Sequence, residues 1–71
     1  MTREEHINWC KMRAMEYVVI GDFANAVWGM LSDLGLHPDT KHYKQSKRSL
    51  GAATLLKNET KAVVNFIEEF A

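Results

Sequence analysis

Apolar side chains in this sequence recur at helical spacing rather than in strand-like alternation. Trp9, Cys10, Ala14, Tyr17 and Val18 fall on one face of a first helix. Thr2 and Glu5 stand three residues apart just ahead of it, the spacing of a capping box. Gly21 ends this helix, because a sharp turn there needs a residue without a Cβ. Asp22 follows, and its carboxylate suits the free N–H groups of a second helix. Phe23, Val27, Met30, Leu31 and Leu34 form the stripe of that helix, at i, i+4, i+7, i+8 and i+11. Gly35 and Pro38 close it. So short a turn leaves the two helices antiparallel with their stripes facing, and the small residues Ala14 and Ala26 let the axes approach closely.

After this hairpin the pattern blurs. Asp39 or Thr40 is placed to cap a third helix running from Lys41 towards Leu56. Its apolar content is irregular, and Gly51 weakens it by about 1 kcal/mol relative to alanine. Residues 41–49 are therefore expected to be irregular or frayed, with a break before Leu50. Asn58 and Thr60 are capping candidates for a fourth helix, whose stripe is Val63, Phe66, Ile67 and Phe70. That stripe should cover the open face of the hairpin. The expectation is one all-α domain over residues 1–71: a small bundle of about four helices built on an antiparallel hairpin.

Length sharpens one part of this picture. At 71 residues the chain sits near the size, roughly 70–80 residues, at which a single core is barely sufficient. Met12, Met15, Val19 and Trp28 lie off the main stripes and are surplus to that core. Either the later helices bury them or a second subunit does, so a homo-oligomer is expected. Charge is balanced, with nine Lys and Arg against nine Asp and Glu. No global field then drives nucleic-acid or membrane binding. The apolar run at residues 17–20 is far too short to span a bilayer. Glu4, Glu5 and His6 occupy the region where a signal peptide would be apolar. The single cysteine, Cys10, fits a reducing compartment.

Candidate chemistry is confined to two places. Lys41, Lys44, Lys47, Arg48 and Lys57 share a stretch without an acidic residue, interleaved with His42 and Tyr43. Cations beside an aromatic ring suit phosphates or carboxylates, with Arg donating in pairs and Tyr offering a stacking face. Lys41, His42, Tyr43, Lys44, Lys47 and Arg48 are the candidate contact residues; a merely solvated face is the competing reading. His6 and Cys10, at i and i+4, could place two metal ligands on one turn, with His37 and His42 as the others required. No motif of closely spaced cysteines or histidines accompanies them, and a partly buried histidine beside a core cysteine accounts for the pair without metal. No metal or other cofactor is expected. No nucleophile has a base at diagnostic spacing, and the chain is expected not to be an enzyme.

Two resemblances follow from particular residues. Ala14, Tyr17, Gly21, Ala26, Met30 and Pro38 resemble a single tetratricopeptide repeat, which departs from the pattern at Cys10 and Asp33. A lone repeat implies the hairpin shape but builds no peptide groove. The whole chain also resembles a family of small proteins of tailed bacteriophages. The residues that carry this are 1–6, Trp9-Cys10-Lys11, Arg13-Ala14, Glu16-Tyr17, Gly21-Asp22, Asn25-Ala26, Met30, Ser32-Asp33-Leu34, His37-Pro38 and Phe66-Ile67-Glu68. Residues 41–57 depart most from the family pattern. The resemblance implies a phage product acting in the cytoplasm of a bacterial host, without implying an activity. Two function classes stay open: a module that binds a host protein to inhibit defence or regulation, and an oligomer that sequesters a phosphorylated nucleotide.

Overall fold

The structure, a computed structural model, describes residues 1–70. Five helices follow one another: α1 (Arg3–Val19), α2 (Phe23–Leu34), α3 (Tyr43–Ser46), α4 (Arg48–Lys57) and α5 (Thr60–Glu68). The fold is all-α, and no strand occurs among the described residues.

Local signals set the hairpin. Thr2 Oγ1 accepts from the Glu5 N–H at 3.1 Å, and the Glu5 carboxylate accepts from the Thr2 N–H at 2.9 Å, so the capping box is complete. The bond from the Thr2 N–H, and secondarily the nearby Thr2 hydroxyl, favours the ionised acid and holds the Glu5 carboxyl below its usual range. Ile20 closes α1, and Gly21 then adopts φ +77°, a conformation that side chains resist. Asp22 caps α2 by accepting from the Asn25 N–H. Ile7, Cys10, Ala14 and Val18 of α1 meet Ala26, Val27, Met30, Leu31 and Leu34 of α2 in one buried core. α5 lies across both helices and completes that core with Val63, Phe66 and Ile67, joined by Phe70 just beyond its end.

The connection after α2 departs from the sequence reading. Thr40 caps no third helix. Its side chain is fully buried and its hydroxyl donates to the Leu34 carbonyl at 2.6 Å, closing the end of α2 from six residues downstream. Residues 41–49 are not simply irregular either. A four-residue α3 follows the turn, Lys47 breaks the chain, and α4 already starts at Arg48. Two short helices therefore replace the one expected. Asn58 does not open α5 but closes α4 in the left-handed conformation, φ +50°, which asparagine tolerates better than most residues. Glu59 occupies the position before α5, so Thr60 is that helix's first residue rather than its cap.

α4 is held in an unexpected way. Its buried residues are Gly51 and Thr54, not an apolar stripe. A Cβ built on Gly51 would stand 2.9 Å from Val27 Cγ1 and 3.3 Å from Trp28 Cζ3. The glycine that weakens the isolated helix is what lets α4 lie against α2.

Candidate functional site

Trp28, Leu31 and Ser32 lie on one flank of α2, and α3 and α4 both pack against α2. The space between is an open groove of about 420 Å³, lined by those three residues with Lys44 and Arg48. Trp28 is 39 % exposed. One edge of its ring lies beside Gly51, and part of the side chain stays exposed to solvent. Lys44 lays its stem near Gly35, leaving the ammonium free, the usual disposition of a lysine along an apolar surface. Neither Lys44 nor Arg48 has an ion-pair partner among the described residues. An aromatic ring, a hydroxyl and two unpaired cations thus share one concavity.

The candidate contact residues divide. Lys44 and Arg48 come together at the groove. Tyr43 turns away from them: its hydroxyl accepts from Arg3 at 3.3 Å, and its ring meets the edge of Phe70 at 5.2 Å. The His42 ring lies tilted against Tyr43, with centroids 4.1 Å apart, outside the groove. Lys41 is exposed in the preceding turn, and Lys47 is half-buried at the break between helices. Lys57 sits at the far end of α4, in a separate cleft against α5. The five cations therefore do not form one cluster. The aromatic partner of the cations is Trp28, not Tyr43. Leu31 and Ser32 complete the groove. The i, i+3, i+4 spacing of Trp28, Leu31 and Ser32 was the available signal, but it shows its meaning only once α4 is placed.

The four surplus apolar residues also divide. Trp28 belongs to the groove. Met12, Met15 and Val19 lie on the outer face of α1 with Asn8, Lys11 and Glu16, along a shallow depression. Met12 and Val19 are 69 % and 82 % exposed, whereas Met15 is half-buried against the core.

His6, Cys10 and His37 do converge, but the geometry is that of a structural joint. His6 is buried, and its Nε2 donates to the Asp33 carbonyl at 2.8 Å. Cys10 Sγ lies 3.6 Å from the same nitrogen, and the His37 ring packs beside His6 with centroids 5.2 Å apart. His42 lies elsewhere, against Tyr43. No set of three groups suited to a metal ion occurs among the described residues. Burial, and secondarily the nearby Asp33, pushes the Cys10 thiol up to about 11, so it stays protonated and unreactive at neutral pH. Arg13 donates to the Asp33 carboxylate at 2.8 Å and lies 5.0 Å over the Trp9 ring. That hydrogen bond and the charge of Asp33 raise the Arg13 guanidinium further above its already high range.

Fold and groove together define a small all-α protein with one open groove beside Trp28. No protein-family model, curated protein or solved structure matches the chain. No helix among the described residues is long and apolar enough to cross a membrane.

Proposed function

We propose that this protein is a non-catalytic phage accessory protein that binds a host bacterial protein in the host cytoplasm and inhibits defence or regulation. The observation that carries the reading is the groove: a half-exposed Trp28 bordered by the unpaired Lys44 and Arg48. Tryptophan and arginine are the residues that most often dominate protein–protein binding energy. Two cations without local acids favour a partner segment rich in carboxylates.

The test is capture from a bacterial lysate with the wild type and a Trp28→Ala, Lys44→Ala, Arg48→Ala variant in parallel, both first shown to have the same thermal midpoint. The expected result is a host protein that only the wild type retains and that salt releases, since exposed charges are screened over about 8–10 Å. Equal recovery by both proteins overturns the reading. The same features favour one other ligand, a phosphorylated nucleotide whose base stacks on Trp28. That alternative is read by a thermal midpoint that rises with nucleotide concentration, as linkage requires, and is lost in the same variant.

A further inference from the structure

The outer face of α1 carries an order that the groove does not use and that the core takes up only in part, through Met15. Asn8, Met12, Met15 and Val19 are spaced by four, three and four residues. This is the seam of a heptad repeat, in which the a and d positions alternate at those intervals. Met12 and Val19 take a positions, and Asn8 and Met15 take d positions. Lys11 and Glu16 then fall at g and e, on opposite flanks of the seam. The buried residues of α1 (Ile7, Cys10, Ala14 and Val18) occupy the other side of the helix. Neither Lys11 nor Glu16 has an ion-pair partner within its own chain among the described residues. Glu68, near the end of α5, borders the Lys11 flank. The seam runs from Asn8 to Val19, the last residue of α1, about 17 Å at 1.5 Å per residue.

We propose that this face receives α1 of a second copy of the chain, in a parallel two-stranded coiled coil. The choice of occupant and direction follows from complementarity. In a parallel pair each g residue faces the e residue five positions later on the other helix. That juxtaposes Lys11 with Glu16 of the second copy, and the two-fold axis repeats the pair. The same axis stacks Met12 on Met12, Met15 on Met15 and Val19 on Val19. It sets Asn8 against Asn8, where the two amides can hydrogen-bond. An antiparallel pair would place like flanks together, lysine near lysine and glutamate near glutamate. It would also bury each Asn8 against Val19, leaving the amide without a partner. The seam is about two heptads long, so the dimer is a weak one that forms in the micromolar range. The arrangement leaves the Trp28 groove, which shares no lining residue with this face, open in both copies. It stands or falls independently of the host-protein reading.

Sedimentation equilibrium from about 1 to 100 μM tests the proposal. The wild type is expected to shift from monomer to dimer across that range. Lys11→Glu and Glu16→Lys should each abolish the dimer, and the double exchange on one chain should restore it. Val19→Cys, oxidised at a concentration where the wild type dimerises, should give a covalent dimer, because the two positions face one another only in the parallel arrangement. The native Cys10 is fully buried and does not compete. A monomer throughout, or a dimer indifferent to both charge changes, overturns the proposal. A dimer without a Val19→Cys cross-link overturns its direction.

Discussion

The α1–α2 hairpin with α5 and the α3–α4 arm are built on opposite plans. The hairpin and α5 supply every buried apolar side chain of the core except Phe70, two residues past the end of α5. α4 supplies only Gly51 and Thr54 to the buried set, and α3 nothing. One region is held by buried side chains that fill space; the other leans on the core through the partly buried Tyr43 and Leu55 and meets α2 where a side chain is absent, at Gly51. A core of the first kind tolerates loss poorly, because removed atoms leave cavities. A contact of the second kind tolerates gain poorly, because added atoms have nowhere to go. The groove forms where the two plans meet.

The comparison is broken most severely from the space-filling side. Phe66→Ala should lower stability by about 3–5 kcal/mol, read by chemical denaturation. Gly51→Ala probes the other plan. Helix propensity alone would make it stabilising by about 1 kcal/mol, but the missing space should turn that into a loss of about 1–3 kcal/mol. A gain in the thermal midpoint would show that α4 shifts freely on α2. Thr40→Val leaves the Leu34 carbonyl only the long 3.5 Å bond from the His37 N–H, and a loss of about 1–2 kcal/mol is expected.

A smaller effect should appear in the pH dependence of the hairpin. The Cys10 thiol is raised to about 11 in the folded protein, so the fold prefers its neutral form. The stability linked to that preference is complete below about pH 9, where the thiol is protonated in both states. It disappears as pH rises through the folded value, because the unfolded chain gives up the proton first. Cys10→Ser should remove this alkaline component from a series of denaturation curves. The smallest effect sharpens the contrast. Leu56, 88 % exposed on α4, should lose under about 0.5 kcal/mol on change to alanine.

How far the sequence could be read follows the same division. Thr2, Glu5, Gly21 and Asp22 act on residues within one turn of themselves, so the hairpin's ends were legible from spacing alone. Val63, Phe66, Ile67 and Phe70 marked the covering helix because a stripe that regular has one purpose. The arm was not legible, since its determinants are distant in sequence. Gly51 has meaning only beside Val27 and Trp28. Tyr43 looked like a neighbour of the cations until Phe70 and Arg3 drew it inward. Thr40 and Asn58 are capping types at helix boundaries, and residue type did not say which helix each would close. In the groove, the cations Lys44 and Arg48 were legible; their pairing with Trp28 across helices was not.

Asp33 is gripped twice by α1. Its carbonyl takes His6, and its carboxylate takes Arg13 from two helical turns further along. Two grips on one residue, separated along the helix, act as a key in a shaft. α1 can neither slide along α2 nor roll about its own axis without releasing both at once. The outward azimuth of Asn8, Met12, Met15 and Val19 is thereby fixed before any partner arrives. A surface delivered in a single orientation has little rotational freedom left to surrender on docking. A joint that looks purely architectural therefore acts as preorganisation for whatever meets the opposite side of the helix.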